Sequence, residues 1–175
     1  MLDQYNTALT EYFIKWGAVQ SNAANPEFFD NLKAVAVGWK TEDKAEYDRL
    51  VAELHDACDH IVEVWMNGRW IAKLHLKDDK LTGGISIIKI MQRRPGSSDA
   101  IGLDHVDFYT PEADNGEQAV SQNPKLKWTI ETNDVLDDYK WVSIWFADTE
   151  AKIKHSTVLN NIIQELQILN DEILA

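Results

Sequence analysis

Apolar residues recur at helical spacing in the opening segment. Leu2, Tyr5, Leu9, Tyr12, Phe13 and Trp16 share one side and predict an amphipathic helix over residues 1–20. Residues 22–26 read as a break, and residues 33–39 (KAVAVGW) as a short apolar strand. Thr41 is a suitable N-cap for a second helix over residues 42–59, with Tyr47, Leu50, Val51 and Leu54 on one side. A hairpin follows. Its strands are residues 60–66 and 70–76, and Asn67-Gly68 is the preferred two-residue turn. Alternation sets Trp70, Ala72, Leu74 and Leu76 against Ile71, Lys73 and His75.

After a turn at Asp78-Asp79, residues 84–91 (GISIIKIM) are apolar on both faces, as a central strand would be. A connector (RRPGSSDAIG, residues 93–102) leads to a strand at 103–109. Residues 111–122 read as a loop with a short helix, followed by strands at 127–132 and 141–146 and a closing helix over 153–174. That helix carries a broad stripe, Val158, Ile162, Leu166, Leu169 and Ile173, widened by Leu159, Ile163 and Leu174. It can pack on the opening helix or on a second subunit, so a homodimer stays open.

This succession predicts an α+β fold in one domain, residues 1–175. Two imperfect βαβββ units, residues 32–92 and 103–147, form one curved mixed sheet around a cleft, with the N- and C-terminal helices added. Composition narrows the partners. A net charge of −12, from 29 acidic and 17 basic residues, opposes binding to nucleic acid or an anionic membrane surface. No apolar run is long enough to span a bilayer, and the opening segment lacks the pattern of a secretory signal, so the expected location is cytoplasmic. Cys58 is the single cysteine, which rules out an intrachain disulfide or thiolate cluster.

Several short motifs carry a family resemblance. Met66-Asn67-Gly68-Arg69, then Lys73-Leu74-His75, Pro95-Gly96-Ser97 and Gly102-Leu103-Asp104-His105-Val106-Asp107, resemble in order and spacing the bacterial YecM-like family. That family's pattern runs I-N-G-R, K-L-H and G-x-E-H-x-E, and it belongs with the vicinal-oxygen-chelate, or glyoxalase-like, proteins. The resemblance spans residues 32–146. It implies a cleft in which His and Glu from facing strands hold a divalent metal that acts as a Lewis acid in an isomerase, lyase or dioxygenase. Carried over residue by residue, only His105 matches a ligand histidine. Lys33 stands at the first-strand histidine position, Lys89 at the fourth-strand glutamate and Phe146 at the last-strand histidine. Two ammonium groups and a phenyl ring do not suit a divalent cation.

The residues themselves leave alternatives. His105, Asp107 and Tyr109 share one strand face, as a metal or acid–base cluster with Asp107 orienting His105, or as a satisfied histidine on a half-buried strand. Lys33 and Lys89 together could hold a carboxylate or phosphate, or reach solvent. His55, Cys58 and His60 read as a helix end running into a strand, and His75 as strand surface. Trp141 and Trp145 share a face with Ser143 and could line an aromatic cleft. Phosphate-loop and nucleophile-elbow motifs are absent from the sequence.

Two functions compete. The first, which fits Lys33, Lys89 and Phe146 better, is a metal-free member of the glyoxalase-like group. It would bind a small molecule or a protein partner in a cleft lined by Lys33, Lys89, His105, Asp107, Tyr109 and Phe146. The second is a divalent-metal-dependent isomerase, lyase or dioxygenase, with zinc, nickel, manganese or iron held by His105 and by His75, Asp107 or Glu131. Neither assigns a catalytic residue.

Overall fold

The computed structural model describes residues 1–78, 80–132 and 140–155. Helix α1 (Asp3–Ser21) buries Tyr5, Leu9, Tyr12 and Trp16, the stripe its spacing predicted. A short helix, α2 (Pro26–Asp30), follows where the sequence read only a break. Its proline sits in the first turn, where a missing N–H costs nothing, and Phe29 is buried.

Strand β1 (Lys33–Thr41) leads to helix α3 (Lys44–Leu54). Asp43, not Thr41, caps this helix, its carboxylate accepting from the Glu46 N–H at 2.8 Å. Thr41 stays in β1 and donates its hydroxyl to the Asp43 carbonyl at 3.1 Å. A single 3-10 turn at His55–Ala57 ends the helical segment, so the predicted helix to residue 59 is too long. Cys58 already begins β2 (Cys58–Met66).

β2 and β3 (Arg69–Leu76) form the predicted hairpin. Asn67 and Gly68 take φ of 53° and 74°, the left-handed pair that a tight right-twisted hairpin requires. β4 (Ile87–Gln92) completes the first unit. The second unit comprises β5 (Gly102–Thr110), α4 (Glu117–Ser121), β6 (Lys127–Thr132), β7 (Lys140–Phe146) and β8 (Thr149–His155).

β8 corrects the sequence reading. Ala151 and Ile153 point into the helix-covered core while Lys152 and Lys154 take the opposite face, a period of two rather than 3.6. The predicted helix start at residue 153 and unit end at residue 147 both give way to this strand. The rest of that helix, with its stripe, and Asp79 of the predicted turn lie outside the described residues.

All eight strands join in one curved open sheet of order β2-β3-β4-β1-β5-β8-β7-β6. β1 runs parallel to β4 and β5 parallel to β8, while β1 and β5 pair antiparallel at the central seam. Each half therefore repeats the same strand order about that seam, and the two βαβββ units of the α+β reading are present. The helices cover one face. Trp16 stacks on Phe108 at 4.9 Å there, and Leu74, Ile88, Val106 and Ile144 fill the layer beneath. Among the described residues no helix is long and apolar enough to cross a membrane.

Candidate functional site

Alternation puts the other face of the central strands to different use. β4 and β5 are mostly buried on both faces, yet this face carries charge: Lys89 from β4, His105 and Asp107 from β5. β3 adds Lys73, and β8 adds Glu150, Lys152 and Lys154. Asp107 is fully buried at the centre. Lys154 Nζ lies 2.7 Å from its Oδ1, and Lys89 Nζ contacts its Oδ2. His105 Nε2 stands 3.6 Å from Oδ2 and makes no hydrogen bond, while Nδ1 lies 2.7 Å from Asp104. With the proton assigned to Nδ1, the ring donates to Asp104 and presents a bare lone pair to the buried cluster.

One glycine makes room for this ring. Gly38 faces His105 across β1–β5, and a Cβ there would fall 2.4 Å from the imidazole. Gly38→Ala is expected to displace the ring and cost about 1–3 kcal/mol. Urea unfolding reads the cost and imidazole proton shifts read the displacement. An unchanged His105 spectrum would contradict the packing.

The charges set one another's protonation. Burial opposes ionisation of Asp107, but the ammonium groups of Lys154 and Lys89 outweigh it and hold the carboxyl well below its usual range. One shared carboxylate does not do the same for the lysines. Burial, with help from Lys154 and Lys152, brings Lys89 down to about 7 despite Asp107. Burial and Lys154 bring Lys73 down to about 8. His105 is lowered by burial and by Lys152 and Lys89, so it stays neutral. Around the cluster, Trp141 donates its Nε1–H to Ser143 at 3.0 Å, and the Ser143 hydroxyl contacts Glu150. Lys152 and Lys154 lie 5.3 and 5.6 Å over the Trp141 ring, within cation–π reach.

Of the residues named from sequence, Lys89, His105 and Asp107 come together. Tyr109 shares their face and is half-buried. Lys33 does not join Lys89: it pairs with Tyr109, whereas Lys89 pairs with Gly38, roughly 15 Å further along β1. Phe146 lies on the opposite face against Tyr12 and Trp16, because β8 and not β7 is the last strand of its unit. His75 and Glu131 each stand three strands from β5, roughly 14 Å away, and cannot share an ion with His105. Glu131 instead accepts from Thr129 at 2.7 Å. Trp141 lines the cluster, but Trp145, Trp65 and Trp70 are exposed. The sequence reading missed Asp104, Glu150, Lys152 and Lys154. A cavity of about 600 Å³ lies on the helical side beside Val19, Leu126 and Phe146. Only Lys15 and Lys125 in its lining carry charge.

No protein-family model and no curated protein matches the chain. A solved structural-genomics protein, EC4020, superposes with a TM-score of 0.67 over 94% of this chain and 88% of that one, at 15% identity. A methylmalonyl-CoA epimerase in complex with methylmalonyl-CoA and NH4+ gives 0.49 over 71% and 94%, at 13% identity. A Streptomyces coelicolor methylmalonyl-CoA epimerase variant with 2-nitronate-propionyl-CoA gives 0.48 over 71% and 96%, at 12%. The paired βαβββ units, joined through antiparallel β1 and β5, decide the architecture. The fold is that of EC4020.

The resemblance drawn from the sequence motifs raises the question of a metal between β1, β4, β5 and β8, and the residues there do not fit one. β1 presents Gly38 and β4 presents Lys89, and β8 sets Lys152 and Lys154 beside its one donor, Glu150, so β5 and Glu150 alone supply donors at the centre. A charged ammonium has no lone pair to give. Asp104, His105 and Glu150 do bring donor atoms within 4.8 Å of one another. Lys40, however, holds Asp104 at 2.8 Å, and Lys152 lies 3.9 Å from Glu150. The cations that keep His105 neutral oppose a dication for the same reason.

Proposed function

We propose that this protein binds a small anionic molecule, a carboxylate or phosphate, on the charged face of the sheet, through ammonium groups rather than a central metal. One observation carries the reading: Lys89 and Lys154 converge on buried Asp107 where the four central strands meet. Lys73 and Lys152 stand on the same face. Such a concentration of cations in a region of low dielectric favours an incoming anion, which also raises the depressed lysine values back toward full charge. The Trp141 indole supplies a flat apolar wall beside the ammonium groups, suited to the carbon part of such a ligand. The neutral His105 ring, with its free Nε2, is placed to accept a proton or a hydrogen bond from it. The short motifs resembling the YecM-like family fit this reading at one position, as Lys89 stands where the family pattern has a metal-binding glutamate.

The test is calorimetric titration of the full chain with inorganic phosphate, malonate and citrate at a pH near 7. At least one anion is expected to bind with proton uptake, read as a heat that changes with buffer ionisation enthalpy. Lys73→Met is expected to weaken that anion by about tenfold, the loss of one charge-assisted contact. No heat from any small anion, or binding indifferent to Lys73→Met, would rule the proposal out.

A further inference from the structure

Away from the central cluster, the outer hairpin builds a second constellation. His60 on β2 and His75 on β3 are directly paired in register. Between Cys58 and His60 the pairing slips by one residue, so Asp59 sits in a bulge. A bulge breaks strict alternation and lets two consecutive residues aim at the same face. Asp59 therefore turns toward the histidines: its Oδ1 lies 2.8 Å from His60 Nδ1 and 2.7 Å from His75 Nδ1. Cys58 packs against the core cluster instead.

From this geometry we infer that Asp59, His60 and His75 form a site for one zinc-type divalent ion, with two imidazoles and one carboxylate as ligands and an open position toward solvent. Their ligand atoms already lie within 4.8 Å of one another. A tetrahedral site with bonds near 2.0–2.1 Å needs ligand atoms about 3.4 Å apart. Asp59 Oδ1, now 2.8 and 2.7 Å from the two Nδ1 atoms, has to draw back slightly to admit the ion, a movement open to an exposed carboxylate. Two imidazole nitrogens and a carboxylate oxygen suit zinc, cobalt or nickel far better than calcium or magnesium. The contrast with Asp104, His105 and Glu150 is electrostatic. Among the described residues, Asp59 forms its ion pairs with the two histidines and not with an ammonium group. Each neutral imidazole frees Nδ1 for the metal by carrying its proton on Nε2 instead, so the rings bind as neutral ligands and Asp59 supplies the one negative charge. Three protein ligands with a free fourth position is the arrangement that leaves room for water or an exogenous anion. Lys73 is on the same face only two residues from His75, roughly 7 Å away.

The experiment uses the full chain, first stripped with chelator, then titrated with Zn²⁺ by calorimetry and with Co²⁺ by visible absorption. One Zn²⁺ per chain and the d–d bands of low-coordinate cobalt are expected. His60→Ala, on the exposed edge and remote from the core, is expected to abolish the bands and weaken Zn²⁺ by at least about tenfold. His105→Ala is expected to leave both unchanged. Absence of stoichiometric Zn²⁺ binding, cobalt bands that survive His60→Ala, or loss on His105→Ala with retention in His60→Ala would each overturn the assignment. Circular dichroism of the variants separates lost ligation from lost fold.

Discussion

Asp107→Asn is expected to lower the stability of the folded chain by about 3–5 kcal/mol, the usual cost of breaking a buried ion pair by removing one partner. The amide keeps the shape but not the charge, so packing around β5 is preserved while the ammonium groups of Lys89 and Lys154 lose their shared counter-ion. For a chain of this size the fall in Tm is roughly 10 °C. The attribution rests on coupling, and a second substitution tests it. Lys89→Met in the Asp107→Asn background removes one of the stranded cations and fills its volume with apolar atoms, so it should recover part of the loss. Urea unfolding of the four proteins gives the coupling energy. A double variant no better than Asp107→Asn alone would show that the carboxylate acts through something other than these cations.

Raising the pH from about 7 toward 10 is expected to stabilise the fold by several kcal/mol, an unusual direction for a protein. Lys89 titrates at about 7 in the folded chain and Lys73 at about 8, both brought down from 10.5 chiefly by burial. Between those values the unfolded chain holds the protons and the folded chain does not. Stability therefore rises with pH across that window and levels off as the unfolded lysines lose their protons. Below about 7 both states carry the Lys89 proton, and the whole cost of a buried cation weighs on the fold. Asp107 works in the opposite region: its depressed folded value contributes stability above the ordinary carboxylate range, lost as the solution becomes strongly acidic. Denaturant midpoints across neutral and alkaline pH read the slope, and Lys89→Met should flatten it. A wild-type chain that only weakens from pH 7 upward would contradict the depressed lysines. A bound anion would reverse the trend near neutrality by holding the lysines charged.

Much of the fold could be read from local chemistry. Asn67-Gly68 fixes a two-residue turn because its backbone demands left-handed φ twice, and the turn then fixes every pair across the hairpin. His60 faces His75 for that reason alone, so the histidine pair was legible from residue number once the turn was placed. Reading His60 along the chain with His55 and Cys58, rather than across it, hid the pair. Other elements were hidden by periodicity. Ile153 opens an apolar series that continues at helical spacing to residue 173, and that longer series masked the alternation of Ala151, Lys152, Ile153 and Lys154. Losing β8 moved the last strand to Phe146 and removed Glu150, Lys152 and Lys154 from view. Asp104 was missed for a different reason. A register slip opposite Gly38 and Trp39 puts it next to His105 on the same side, which alternation forbids. Bulges depend on the partner strand, and nothing local in LDHVD announces one.

The central seam has a temporal side as well. A chain emerging from the ribosome completes β4 at Gln92, but β1 keeps an unpaired edge until β5 ends at Thr110, 18 residues later. At ordinary synthesis rates that is roughly one to four seconds with a hydrogen-bonding edge bare. Asp107 arrives with β5 and meets Lys89 at once, while Lys154 follows 44 residues after Thr110, on the strand that covers β5 in turn. The buried carboxylate thus gains its second cation only when the final strand of the sheet is laid down, so the charge cluster matures last, after the halves have already joined.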